Sequence, residues 1–164
     1  MKEFEYCLEN SVIERLILAL RKKELTISFM ESASGGGLAN AVTNVEGASE
    51  VLGFSAVTYS NEFKIKMGVP QDVILKYTVY SMETAREMAR SIKEFSHSSI
   101  GVGVTGKLNR VDKYNLYGDD NVVFVAVFYQ GQFHEYSYRA KEKSRKENKE
   151  DLILFIAERI LEIL

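Results

Sequence analysis

A chain of 164 residues that is 46% hydrophobic can bury one full-sized core and is too short for two comfortable ones, so one domain over 1–164 is expected. Its 21 basic and 23 acidic residues leave a formal net charge of −2, which excludes a broad electrostatic pull toward nucleic acid or an anionic membrane. A lone cysteine, Cys7, excludes an intrachain disulfide; with no apolar leader in Met1–Asn10 and no apolar segment long enough to span a bilayer, the expectation is a cytoplasmic protein.

Ser11-Val12-Ile13-Glu14 reads as a capping box, after which Val12, Leu16, Ile17 and Leu20 share one helical face up to Arg21-Lys22-Lys23. Leu25 to Met30 is a short apolar strand that breaks into a hydroxyl- and glycine-rich turn, Ser32-Ala33-Ser34-Gly35-Gly36-Gly37. Leu38, Ala41 and Val42 then mark a helix that stops near Gly47. Gly53 to Tyr59 supplies a second strand, and Asn61 reads as the cap of a short helix carrying Lys64, broken at Gly68-Val69-Pro70. Ser81 caps a helix whose Met82, Ala85, Met88, Ala89 and Ile92 share a face, followed by a third strand over 99–105. Val122 to Tyr129 and Phe133 to Tyr138 flank Gln130-Gly131 as a hairpin, and an amphipathic helix through Leu152, Ile156 and Ile160 closes the chain. This order predicts a layered α/β domain on a mixed five-stranded sheet, since the hairpin rules out a purely parallel one.

Gly101-Val102-Gly103-Val104-Thr105-Gly106-Lys107 satisfies two phosphate-loop patterns in its letters. A dinucleotide fingerprint must open a helix after a strand, whereas these glycines lie inside the strand. A Walker-type loop needs a Ser or Thr where Leu108 stands, so small residues for close packing are the simpler reading. His97 and His134 have no metal-ligand spacing, and no metal site is expected. The basic run from Arg139 to Lys149 is interleaved with Glu142 and Glu147, which favours a solvated lead into the last helix over a nucleic-acid patch.

Glycines after Ser32 let the backbone turn sharply and approach a ligand, offering a nucleophile beside an anion-stabilising cradle, although an ordinary exit from a strand reads the same way. A second segment, Tyr59-Ser60-Asn61-Glu62-Phe63-Lys64, decides between them. Glu31-Ser32-Ala33-Ser34-Gly35-Gly36, Gly47-Ala48-Ser49 and Tyr59 to Lys64 resemble, in order, the E-S-C-T-G-G, G-A/S-S and Y-S-N-E-A-K patterns of the CinA C-terminal domain family, which includes nicotinamide mononucleotide deamidases. The resemblance continues through Gly68-Val69, Ser81-Met82-Glu83 and Val104-Thr105-Gly106.

It implies a three-layer α/β/α sandwich on a mixed, mostly parallel five-stranded sheet, and an amidohydrolase that converts nicotinamide mononucleotide to nicotinate mononucleotide and ammonia. The family's catalytic serine, tyrosine and lysine fall on Ser32, Tyr59 and Lys64. A serine attacking an amide needs a base, and a lysine kept neutral by burial can serve. Substrate or oxyanion contacts are implied at Ser34, Gly35, Gly36, Asn61, Thr105 and Gly106, with Arg145 the nearest positional substitute for a missing G-D-R arginine. No metal or organic cofactor is required, and the expected partner is a small nucleotide, not nucleic acid or membrane, with self-association left open. After Gly106 the family's small-residue I-A-G-P-G-G loop is replaced by Lys107-Leu108-Asn109-Arg110 and further bulky residues to Asp120. That departure keeps two alternatives: an amidohydrolase on a different small amide, or an inactive nucleotide-binding or regulatory domain.

Overall fold

The computed structural model describes residues 11–109 and 120–164; Cys7 and most of the replaced loop lie outside them. Its strands are β1 (Ile27–Glu31), β2 (Leu52–Val57), β3 (Ile100–Gly106), β4 (Val122–Tyr129) and β5 (Gln132–Arg139). Among the described residues six α-helices accompany them: α1 (Val12–Lys22), α2 (Gly37–Thr43), α3 (Asn61–Lys66), α4 (Gln71–Tyr77), α5 (Met82–Ser96) and α6 (Arg145–Ile163). One 3₁₀ turn, Ala48–Glu50, precedes β2.

The strands form one sheet in the order β2-β1-β3-β4-β5. β1 pairs in parallel with both β2 and β3, whereas β3–β4 and β4–β5 are antiparallel, so the parallel part is confined to the first three strands. Alternation along the strands sorts the core into two layers. Ile27, Phe29, Val102, Val104, Val123, Val125 and Val127 meet Leu16, Ile17 and Leu20 of α1, Leu38 and Val42 of α2, and Leu152, Ile156 and Ile160 of α6. On the opposite face Met30 packs with Ile74 of α4 and with Met88 and Ile92 of α5. Each fully buried Leu or Ile contributes about 1.5–3 kcal/mol, so this double-sided core is what holds the three layers together.

The local signals explain the helix starts. Ser11 and Glu14 make both halves of the capping box that begins α1, and Ser144 with Glu147 repeats it for α6. Ser81 caps α5 through the Thr84 N–H. Asn61 is not the cap of its helix: Ser60, in extended backbone, holds that place and its Oγ accepts from the Phe63 N–H at 3.3 Å, leaving Asn61 exposed in the first turn. α4 and the 3₁₀ turn were not predicted, being too short for periodicity to reveal. The Gln130-Gly131 hairpin has φ +49° and +74°, the two left-handed residues that a tight type I′ turn demands.

Gly101 and Gly103 serve packing. A Cβ on Gly101 would lie 2.1 Å from the Ala89 carbonyl, and one on Gly103 2.2 Å from that of Ala85, so the bare strand lets α5 sit directly on β3. The first two glycines of the dinucleotide-like pattern are therefore a helix-on-sheet contact.

From β1 the chain passes through α2 to β2 over one face, then returns through α3, α4 and α5 to β3 over the other. The order thus reverses between β1 and β3, where open α/β sheets leave a crevice at the carboxyl ends of the strands. Ser32, the first residue past β1, sits at that junction and donates its N–H to the Val104 carbonyl at 3.0 Å.

Candidate active site

Three elements build the site around Ser32. β1 delivers it, the glycine turn bends the chain away behind it, and α3 brings Lys64 across from the end of β2. The Gly35 N–H donates to the Ser32 carbonyl at 3.0 Å, closing a tight turn, with Gly35 and Gly36 at φ +60° and +90°, values that favour glycine. Because the Gly35 N–H is spent in this way, its contribution is conformational. The N–H groups of Ser34 and Gly36 make no hydrogen bond among the described residues and remain free for an acceptor.

Glu31 fixes the turn from below. This carboxylate is fully buried at the end of β1 and accepts from the N–H groups of Leu38 at 2.8 Å and Ala39 at 3.1 Å, satisfying the opening turn of α2 in place of a side-chain cap. Strand end and helix start are thereby tied to one side chain adjacent to Ser32. Its supporting role was missed in the sequence, although an acid ending an apolar strand immediately before a turn is a readable signal.

Lys64 is 1% exposed and its Nζ lies 3.2 Å from Ser32 Oγ. The same nitrogen donates to the Thr58 carbonyl at 2.7 Å, so the ammonium is aimed from two sides. No carboxylate pairs with it among the described residues. Burial therefore acts unopposed and lowers its pKa from 10.5 to about 8. Around this pair two buried hydroxyls, Ser34 Oγ and Thr58 Oγ1, find no hydrogen-bond partner among the described residues. Unspent buried hydroxyls are costly unless a ligand or water uses them.

The remaining candidates divide. Tyr59 is 66% exposed on the rim, and its hydroxyl accepts from the Arg145 guanidinium at 3.2 Å; it makes no hydrogen bond to Ser32 or Lys64. Tyr59 and Arg145 are thus brought to each other. Thr105 is buried and its Oγ1 donates to the Val79 carbonyl at 2.6 Å, anchoring the loop before α5. Gly106, at φ +150°, lets β4 pass close by, because a Cβ there would meet the Val122 carbonyl at 2.4 Å. Lys107 is nearly buried, 3.3 Å from Asp120 and 4.5 Å from the Tyr80 ring centroid. Among the described residues no group of three or more His, Cys, Asp or Glu could hold a metal, and no helix is long and apolar enough to cross a membrane.

A serine with a buried, carboxylate-free lysine at hydrogen-bond distance is an arrangement for acyl transfer. Comparison with known proteins agrees on the lineage. The CinA C-terminal domain profile matches residues 9–164. A competence-damage inducible protein of Clostridium beijerinckii is 39% identical over 129 residues, covering 77% of this chain and 31% of that protein. A CinA-like protein of Kosmotoga olearia is 41% identical over 99 residues, 60% of this chain and 24% of its own length. The chain thus spans about a quarter to a third of the curated relatives it matches. Among solved structures, a CinA superfamily protein of Escherichia coli superposes with TM-score 0.86 at 22% identity, covering 93% of this chain and 88% of that one. A competence/damage inducible protein of Agrobacterium tumefaciens gives 0.82 at 25% identity, covering 92% of each chain. With its fold, its ordered motifs and this match over nearly its whole length, the chain belongs to the CinA C-terminal domain family.

Proposed function

We propose that this domain is a serine amidohydrolase that hydrolyses the carboxamide of nicotinamide mononucleotide to nicotinate mononucleotide and ammonia. The observation that carries the reading is Lys64 Nζ at 3.2 Å from Ser32 Oγ, buried and with its pKa lowered to about 8. A neutral Lys64 keeps an N–H on the Thr58 carbonyl and turns its lone pair toward the Ser32 hydroxyl. Ser32 Oγ attacks the carboxamide carbon while its proton passes to Lys64. The oxyanion that develops is met by donors of the turn, where the N–H groups of Ser34 and Gly36 make no hydrogen bond among the described residues. As the C–N bond breaks, the proton on Lys64 goes to the leaving nitrogen, and ammonia departs. Water then attacks the Ser32 ester, gives its proton to Lys64, and the carboxylate product leaves as Ser32 recovers its proton.

Tyr59 acts from the rim, holding Arg145 over the opening through its hydroxyl. A second reading, hydrolysis of a different small amide, is favoured by Lys107, a buried cation where the family pattern has isoleucine, and by Leu108, buried where it has alanine. The test is to incubate the purified protein with nicotinamide mononucleotide and measure ammonia and nicotinate mononucleotide, alongside a panel of other carboxamides. Equal release of both products supports the first reading; ammonia from another amide alone supports the second. No ammonia from any of them removes both.

A further inference from the structure

We propose that Thr58 is a positioning residue whose hydroxyl holds, against Lys64, the water that cleaves the Ser32 ester. The inference rests on the amidohydrolase reading above and deepens it, naming the group that serves the second half of the reaction at a residue other than Ser32, Tyr59 and Lys64.

Lys64 has to act as base twice, on two different proton donors. In the first step the donor is Ser32, a side chain that β1 and the glycine turn hold 3.2 Å from Nζ. In the second it is water, which no covalent bond keeps in place, so the fold must orient it with a further hydrogen bond. Thr58 is placed to do so. Its N–H donates to the Glu31 carbonyl at 2.9 Å, which carries the β1–β2 pairing past Glu31 and Val57 and sets Thr58 level with Ser32. Side chains alternate along a strand. Glu31 reaches the N–H groups of α2, and a Val57 methyl lies 3.3 Å from where a Cβ on Gly36 would be, so both face the α2 side. Ser32 and Thr58, next along their chains, turn to the opposite face, where α3 brings Lys64.

On that face the Thr58 carbonyl accepts from Lys64 Nζ at 2.7 Å, while its Oγ1 is buried and has no hydrogen-bond partner among the described residues. One residue therefore carries both the acceptor that aims the base and an unspent hydroxyl. A buried hydroxyl is costly unless something uses it, and a methyl would fill the same space without that cost. Ser34 Oγ, the other unpartnered hydroxyl, belongs to the glycine turn and has no hydrogen bond to Lys64 among the described residues.

Once ammonia has gone, Ser32 Oγ is tied into the ester and the Lys64 lone pair has lost its first donor. A water seated between Nζ and Thr58 Oγ1 gives one O–H to each, which leaves an oxygen lone pair for the ester carbon. Its oxygen bonds to that carbon. The proton facing Nζ passes to Lys64 and on to Ser32 Oγ as the ester C–O bond breaks, and the other leaves with the acid, which ionises. Thr58 neither gains nor loses a proton. Removing its hydroxyl should slow deacylation and leave acylation alone, a split that loosened packing would not produce.

The test follows an acyl group that a simple ester delivers. The full chain and its Thr58→Val, Thr58→Ser and Ser32→Ala variants are mixed with p-nitrophenyl acetate at a pH of about 8, where half of Lys64 is neutral. Release of p-nitrophenolate reads acylation, and intact mass reads the acetyl that remains, with Ser32→Ala as the blank for other side chains. Valine keeps the branched shape and the carbonyl on Lys64, so the Thr58→Val midpoint in urea is expected at or above that of the unmodified chain. Its burst rate is expected within about twofold of the unmodified chain and its acetyl to persist about tenfold longer, with Thr58→Ser returning that lifetime to within about threefold. A Thr58→Val chain that sheds acetyl at the unmodified rate, or whose burst slows as much as its deacylation, overturns the inference; so does an unmodified Ser32 that takes no acetyl. A chain that releases no ammonia from any carboxamide, yet keeps its acetyl longer in Thr58→Val, retains the water site and loses the amidohydrolase reading.

Discussion

Two glycine-rich stretches, Gly35 to Gly37 and Gly101 to Gly106, look alike as letters and do opposite things. In the second, Gly101 and Gly103 are in β3, and the space where their side chains would be is filled by the backbone and Cβ atoms of α5. In the first, the spaces face a flexible lysine ammonium, a valine methyl and an isoleucine side chain, and the chain turns away from a buried serine. What separates a packing glycine from a site glycine is therefore the neighbour it admits, which no local motif records. The two stretches meet at the carboxyl ends of β1 and β3, where Ser32 bonds to Val104. Substitutions in each should accordingly fail in different ways.

The largest effect is expected at the first stretch. Ser32→Ala and Lys64→Met should each lower kcat/KM for nicotinamide mononucleotide by about 10³-fold or more, measured as ammonia release, because members of a nucleophile–base unit act together. In the unmodified protein kcat/KM should rise about tenfold per pH unit up to about 8 and then level, since only neutral Lys64 accepts the serine proton. Stability should also rise with pH, over the higher window from about 8 to 10.5. Holding Lys64 protonated in the fold at pH 7 costs about 3 kcal/mol, given a folded pKa of about 8 against 10.5. Between those values the unfolded chain binds more protons, so the penalty is present below pH 8 and fades as pH rises toward 10.5. Lys64→Met loses a hydrogen bond to Thr58, worth about 1 kcal/mol, and should still be about 1–2 kcal/mol more stable at pH 7 in urea unfolding. That gain should shrink by pH 10. Unchanged turnover in Ser32→Ala would make this turn merely a strand exit.

Gly103→Ala should do the reverse. Its Cβ would press on the Ala85 carbonyl and the Ala89 N–H, backbone atoms that cannot step aside, so a loss of about 1–3 kcal/mol is expected in urea unfolding. The pH profile of the folded fraction should keep its inflection near 8. Glu31→Gln tests the support of the first stretch. Its amide can accept only one of the two α2 N–H groups and turns its own N–H toward the other, which should cost about 1.5–3 kcal/mol and lower kcat with little change in KM. A kcat that follows the fraction folded would reduce Glu31 to a helix clamp.

Much of this was legible before the fold was known, for physical reasons that can be named. Capping serines at 11 and 81 act within three residues, and the alternation of apolar residues reports burial directly. Ser32 and Lys64 could be paired through a family resemblance, because their separation by 32 residues spans a crossover that only the closed sheet brings together. Tyr59 shows the limit of that route: the motif places it beside Lys64 in sequence, yet strand exit and helix start direct it to the rim and Arg145. Lys149 carried no signal at all. It sits in a run of mixed charge, and its distinction, the absence of an acid partner among the described residues where its neighbours have one, exists only once α6 is laid against the glycine turn.

The smallest expected effect lies where the second stretch reaches the site, and it bears on what the replaced loop has changed. Lys107 follows Gly106 directly, donates its N–H to the Val122 carbonyl at 3.0 Å, and buries its side chain against Tyr80 and Asp120. Asp120 is 40% exposed, so this pair is partly screened and its loss should cost no more than about 1 kcal/mol. Among its described contacts Lys107 has no hydrogen bond to Ser32 or Lys64, so its effect is expected on the shape and charge of the opposite wall. Lys107→Ala removes the charge and bulk of this side chain and should lower KM for nicotinamide mononucleotide by about threefold, with kcat within about twofold and the pH inflection unmoved. A fall in kcat at constant KM would place Lys107 in the chemistry and would mean that the two walls, separate in sequence and in hydrogen bonding, act as one.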